Sequence, residues 1–341
     1  MFEKFWGNAA VAEALGQMLA QDRLAQTLLF AGPEGVGKAT LARRLGERLL
    51  PHPELIEHDD LSLPDNLETV ASRERWPADK RNEDPLLFAS HPDFVTFAPD
   101  GPLRQISIQQ TRLLKERAQY LPNQGQRRIF LIDHVDRAND QAANSLLKTL
   151  EEPPDHLIVI MTAENAYDLL PTIRSRAVPF YFAPLGREAM REFVRARGLD
   201  HPERRVMLAA GSPGLAVSLD LETYDKRRSA MLALLKTAAG AAPFSAWLPI
   251  SEGIGRSKSE RLELHLKVLY DLLRDLLILS QNAGEIRNED IRRELEPIAA
   301  KVEFRWLRQA VARVDEIAQL VRRNIQKTIA LDALIMELRF A

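Results

Sequence analysis

The run Gly32-Pro-Glu-Gly-Val-Gly-Lys38 carries the most specific chemistry in this sequence. Gly32, Gly35 and Gly37 let backbone N–H groups curl around phosphate oxygens, and Lys38 is spaced to reach the terminal phosphates of a nucleotide. An apolar segment, Thr27 to Ala31, precedes the run, and Leu41, Leu45 and Leu49 follow on one helical face. That is the strand–loop–helix context a phosphate-binding loop requires, so ATP or ADP is the expected ligand. One position departs from the pattern. The residue after the lysine should be Ser or Thr, whose hydroxyl binds Mg²⁺, and here it is Ala39. Thr40 is the nearest hydroxyl, but one step along a helix turns a side chain by about 100°.

A second run, Arg128-Ile-Phe-Leu-Ile-Asp133-His134, is an apolar segment ending in a carboxylate. In a phosphate-loop protein such an aspartate sits beside the Mg²⁺ of the nucleotide; the plain alternative is a carboxylate capping the next turn. His134 stands where a glutamate would polarise the attacking water, and an imidazole reaches differently. Thr162 closes another apolar run, as a polar contact to nucleotide or as an ordinary strand-end threonine. Ala39 and His134 both point to an ATPase that is absent or weak.

These residues need elements to hold them. Strands are predicted over Thr27–Ala31, Phe94–Phe97, Arg128–Ile132, Leu157–Thr162 and Val178–Phe182, alternating with amphipathic helices, which is the pattern of an α/β domain with a largely parallel sheet. Ser107 and Gln110 form a capping box for a helix reaching about Tyr120, and Pro153 and Pro154 stop a helix running from Asn139. From Gly186 onward the strand signal ends. Leu262, Leu266, Leu269, Leu273 and Leu276, then Leu307, Val311, Val314, Ile317 and Val321, recur at helical spacing. Pro51–Pro92 and Thr237–Ser257 read as irregular.

The chain has 341 residues, 46 Lys plus Arg, 48 Asp plus Glu and no cysteine. Thiol nucleophiles, disulfides and cysteine zinc sites are thereby excluded. A net charge of −2 argues against a stand-alone basic nucleic-acid binder. Without a signal-like start or an apolar stretch of roughly 18 residues, the expected location is the cytoplasm.

Together with these motifs, Leu146-Leu-Lys-Thr-Leu-Glu-Glu-Pro-Pro154, Leu170-Pro-Thr-Ile-Arg-Ser175-Arg176, Gly211-Ser-Pro-Gly214 and the pattern from Gly7 to Leu41 make the sequence resemble the delta-prime family of DNA polymerase III clamp-loader subunits, relatives of the gamma and tau motors. The match weakens to a helical pattern near Asn324. The resemblance implies a fold that is α/β plus all-α: an AAA+ P-loop domain over residues 1–183, a helical lid over 184–221 and a helical collar over 222–341. It implies gamma/tau and delta as partners, with the sliding clamp and primer-template DNA reached through the complex. It implies that Arg176, in the family's Ser-Arg-Cys motif with Ala177 replacing Cys, acts as an arginine finger on a neighbouring motor's ATP. Motor subunits sense the γ-phosphate with an arginine where this chain has Gly214. Many members carry a four-cysteine zinc module where this chain has Pro51–Pro92; His52, His58, Asp59 and Asp60 form only a loose cluster there, and no zinc is expected. Arg112, Lys115 and Arg117 are either a solvated helix face or a contact to DNA phosphates. An ATP-hydrolysing gamma/tau-type motor and an AAA+ switch unrelated to replication remain the alternatives.

Overall fold

A computed structural model describes residue 2 and residues 5–256, 261–321 and 325–339. Ser257 and Asn324 of the motifs above lie outside the described residues, as does the side chain of Val321. The chain divides into two compact units, Met1–Ser218 and Leu219–Ala341.

The first unit is built on one sheet of strands β1 (Thr27–Ala31), β2 (Phe88–His91), β3 (Phe94–Phe97), β4 (Arg128–Ile132), β5 (Leu157–Ala163) and β6 (Val178–Tyr181). Their order is β2-β3-β4-β5-β1-β6, parallel throughout except for the β2–β3 pair. Side chains alternate between faces along a strand. Leu29, Phe130 and Val159 therefore pack with Leu114, Ala118 and Leu146 on one face, while Leu28, Phe30, Ile129 and Ile160 pack with Leu15, Leu41 and Leu45 on the other. Strands covered on both faces read as continuous apolar runs. This mainly parallel sheet sandwiched by helices, followed by helices alone, is the α/β plus all-α class expected of an AAA+ chain.

Two stretches read as irregular prove to be structured. Residues 51–92 contain helices Pro64–Arg73 and Ala78–Glu83, a 3₁₀ segment Pro53–Asp59 and strand β2. Their apolar core is small, Val70, Leu86 and Ala98. Cohesion comes from polar groups that hydrophobic periodicity does not register. Buried Arg73 donates from Nε and Nη2 to both oxygens of Asp100, at 3.0 and 2.8 Å, and Asp59 accepts from the Ser90 amide at 3.0 Å. Buried His91 accepts from the Asp93 amide at 3.0 Å and so donates through Nε2 to the Pro51 carbonyl at 2.7 Å.

The second unit is helical, with Leu221–Ala238, Leu248–Arg256, Leu262–Gln281, Arg292–Ala299, Phe304–Val321 and Lys327–Arg339 as its helices. Leu262, Leu266, Leu269, Leu273 and Leu276 are all buried, as are Leu307, Val314 and Ile317; Val311 is 38% exposed, so the second stripe is narrower than its spacing predicts. Helix Leu248–Arg256 lies within the other stretch read as irregular. Its glycines and Pro249 masked it, but buried Trp247 anchors it by donating from Nε1 to Asp332 at 2.6 Å. Among the described residues no helix is long and apolar enough to cross a membrane.

Candidate functional site

β1 ends at Ala31 and the chain turns through the glycine loop into helix Lys38–Leu49. Gly35 and Gly37 have φ of 75° and 98°, a region L side chains avoid, which is why the loop is written in glycine. Lys38 is buried, and its ammonium donates to the loop's own carbonyls, Gly32 at 2.5 Å and Pro33 at 2.7 Å. Burial pushes Lys38 below the ordinary lysine range, against the opposing pull of Asp133, Glu164, Asp136 and Glu34. Thr40, two residues on, is half-buried on the same helix.

The carboxylate partner is already engaged. Thr162 Oγ1 donates to Asp133 Oδ1 at 2.5 Å and accepts from the His134 amide at 2.9 Å, so the ends of β4 and β5 are laced together. His134 holds a left-handed φ of 53°, uncommon for a side chain other than glycine and characteristic of sites under constraint. Its Nε2 lies 3.9 Å from Asp133 Oδ2 and its buried Nδ1 has no partner. Gly32, Gly35, Gly37, Lys38, Asp133 and Thr162 thus gather at the carboxyl ends of the parallel strands, the location at which open α/β sheets bind ligands.

A third segment closes on the loop. Ser212 Oγ donates to the Glu34 carbonyl at 2.9 Å, and the Gly214 amide donates to the Gly35 carbonyl at 2.8 Å. The backbones are so close that a Cβ on Gly214 would stand 2.9 Å from Gly35 Cα. No side chain, and so no sensing arginine, fits at residue 214 in this arrangement. The start of the chain is tied in as well: the Asn8 amide pairs with both backbone groups of Ala183, at 2.8 and 3.1 Å, and Trp6 packs edge-on against Phe193 at 5.7 Å.

The loop fits phosphate, with its backbone amides around a glycine-built turn and one ammonium beside them. The Mg²⁺ set fits less well, because Ala39 offers no oxygen and Asp133 is bonded to Thr162. Among the described residues, no group of three or more His, Cys, Asp or Glu could hold a metal ion. Of the loose cluster in residues 51–92, Asp59 is spent on Ser90 and Asp60 is ion-paired with Arg43.

Arg176 belongs to the other end of the sheet. It precedes β6, whose Val178 lies level with Leu28 near the start of β1, whereas the phosphate loop leaves β1 after Ala31. From Leu28 to Gly32, at ~3.3 Å per residue, is roughly 13 Å. There Arg176 donates from Nη2 to Glu151 Oε1 and from Nη1 to the Thr172 carbonyl, each at 2.6 Å, and is 31% exposed. Two residues escaped the reading of the sequence as site residues, Ser212 and Glu151. Glu151 gave a signal: an acid in the last turn of helix Asp140–Glu151 opposes the helix dipole and so calls for a cation. Arg112 and Lys115 are exposed on helix Ile108–Ala118, while Arg117 is half-buried.

Residues 84–186 match the family model described as DNA polymerase III, delta subunit. Subunit tau of DNA polymerase III from Escherichia coli (strain K12) is 28% identical over 209 residues, covering 60% of this chain and 29% of tau. Subunit delta' of DNA polymerase III from Bacillus subtilis (strain 168) is 26% identical over 289 residues, covering 82% of this chain and 78% of delta'. The chain is therefore similar to the tau, gamma/tau and delta' subunits of DNA polymerase III. It spans less than a third of the length of the tau and gamma/tau relatives it matches. A solved structure of a DNA polymerase III gamma subunit-related protein from Thermotoga maritima covers 96% of this chain and 98% of its own, at 16% identity and a TM-score of 0.48. The family match takes in Asp133, Thr162 and Arg176 and begins after the phosphate loop.

Proposed function

We propose that the chain is the delta-prime-type stator of a DNA polymerase III clamp loader and that it serves DNA replication by completing the ATP site of a neighbouring gamma/tau-type motor. One observation carries this reading. Arg176 and the chain's own phosphate loop lie at opposite ends of the parallel strands, so a nucleotide within reach of this guanidinium would have to be held by another molecule. There it would neutralise charge developing on the γ-phosphate, the role of an arginine finger supplied in trans.

In this reading residues 1–183 form the AAA+ module, 184–221 the lid and 222–341 a collar that assembles with gamma/tau and delta. The sliding clamp and primer-template DNA are engaged through that complex. Backbone amides of Gly32, Gly35 and Gly37 with Lys38 would hold the phosphates of ATP or ADP; a bound nucleotide supplies negative charge that draws the Lys38 ammonium off the carbonyls of Gly32 and Pro33. Ala39, His134 and Gly214 withhold the hydroxyl, the carboxylate base and the sensing arginine, so this nucleotide is a structural ligand with little turnover.

The test is reconstitution. The purified chain should hydrolyse ATP negligibly alone, co-purify with the gamma/tau and delta subunits of its source, and support clamp-stimulated hydrolysis that Arg176→Ala reduces without loss of assembly. Robust Mg²⁺-dependent turnover by the isolated chain would show it to be a motor instead. Failure to assemble would detach it from replication.

A further inference from the structure

We infer that Glu151 is a positioning residue for Arg176, holding the guanidinium in a docked, electrically neutral state from which a neighbouring nucleotide must release it. The inference rests on the arginine-finger reading above and adds its restraint.

Both terminal nitrogens of Arg176 are occupied by the chain's own oxygens. Nη2 donates to Glu151 Oε1 at 2.6 Å, and Nη1 donates to the Thr172 carbonyl at 2.6 Å with the Ser175 hydroxyl at 3.4 Å. A guanidinium grips a phosphate through the fork of N–H groups that these bonds engage. Glu151 itself sits in the last turn of helix Asp140–Glu151, where the dipole disfavours a carboxylate, so pairing with Arg176 relieves an unfavourable placement as well as forming an ion pair. Thr172 belongs to the short helix Pro171–Arg174, and the next turn carries Arg176 itself, so the dock is preformed by local backbone. Arg174, two residues before Arg176, stacks on the Tyr167 ring at 4.8 Å. A finger still bonded to Glu151 would bring a carboxylate alongside the phosphate and cancel the charge it delivers. Release is therefore a condition of catalysis, and the pair is exposed enough, at 31% and 47%, for a competing anion to reach it.

An exposed ion pair of this kind shifts a two-state equilibrium by at most about five-fold, which sets the size of the effect. In the reconstituted complex, steady-state ATP hydrolysis is measured without clamp or DNA for the wild type, Glu151→Gln, Glu151→Asp, Arg176→Ala and the double variant. Glu151→Gln keeps the oxygen acceptor and removes the charge; it should raise kcat roughly two- to five-fold with KM unchanged. Glu151→Asp should return the rate toward wild type, and the double variant should match Arg176→Ala. Added salt should raise the wild-type rate relative to Glu151→Gln, because only the wild type has an ion pair to screen. If Arg176→Ala lowers hydrolysis while Glu151→Gln leaves it unchanged or lowers it, the restraint is refuted and the finger stands. If Arg176→Ala is silent, the finger itself is refuted, and the restraint with it.

Discussion

The two ends of the sheet treat charge in opposite ways. At the carboxyl ends of the strands, Lys38, Asp133 and Thr162 are buried, each bonded within the chain, and Ser212 and Gly214 lie across the loop. At the amino ends, Arg176 is half-open to solvent, held by one carboxylate and one carbonyl. A buried polar cluster is costly to disturb because an unmatched group there loses water as well as its partner. A surface ion pair is cheap to exchange for another anion. The first end therefore behaves as fixed structure around the glycine loop, and the second as an ion pair that another anion could exchange.

Each substitution that follows sets one end against the other. Arg176→Ala should change the folding free energy by less than about 0.5 kcal/mol, yet slow hydrolysis at the one partner site it serves by on the order of 10³-fold. Denaturation and single-turnover kinetics on the complex measure the two quantities. A large stability loss would mean that the arginine is structural. Thr162→Val keeps the shape but strips the donor from Asp133 and the acceptor from the His134 amide. It should cost about 2–3 kcal/mol in urea unfolding, with Thr162→Ser restoring most of it. Gly214→Ala places a Cβ against backbone that cannot move aside and should cost about 1–3 kcal/mol; a silent variant would show that Ser212–Gly214 do not rest on the loop.

The smallest effect is expected at Lys38, and its pH dependence is informative. Burial lowers the folded pKa of this base, so the folded state resists the ammonium, and the penalty is fully present at pH values below that lowered pKa. Lys38→Met removes this penalty along with the bonds to Gly32 and Pro33, so its net cost near neutral pH should be smaller than that of Thr162→Val. The relief of the penalty should fade as pH rises from the lowered folded pKa to the ordinary lysine value of about 10.4, above which the charge is gone in both states. Equilibrium unfolding at pH 7 and pH 10.5 checks this, and loss of nucleotide binding in the same variant would assign the ammonium its purpose.

Much of this contrast was legible in the sequence. The glycine loop, Asp133 and the apolar strands declare themselves because residue type and period suffice to define them; the strand bounds of β1, β3 and β4 agree with the apolar runs to the residue. The capping box is present as read, with Gln110 Oε1 accepting from the Ser107 amide at 2.8 Å and Ser107 Oγ accepting in return at 3.3 Å. What stayed hidden depends on partners far apart in the chain. Residues 51–92 fold around Arg73 and Asp100, a pairing no local period encodes. Helix Leu248–Arg256 is anchored by Trp247 and Asp332, and the docking of Gly214 on Gly35 joins segments farther apart still. Glu151 stood in a motif already in view, but its role emerges only once Arg176 is seen beside it.

One feature of the sheet bears on how such a chain lives among partners. β6 forms the edge beyond β1, and because the Phe182 amide bonds inward to the Ala31 carbonyl at 2.7 Å, alternation turns the backbone N–H positions of residues 179 and 181 outward. Position 179 is proline, so the middle of that border has no hydrogen to offer a visiting strand. A strand laid against this border would find the N–H of Tyr181 but none at residue 179, so the ring of one proline takes a rung out of any ladder by which the sheet could zip onto a copy of itself.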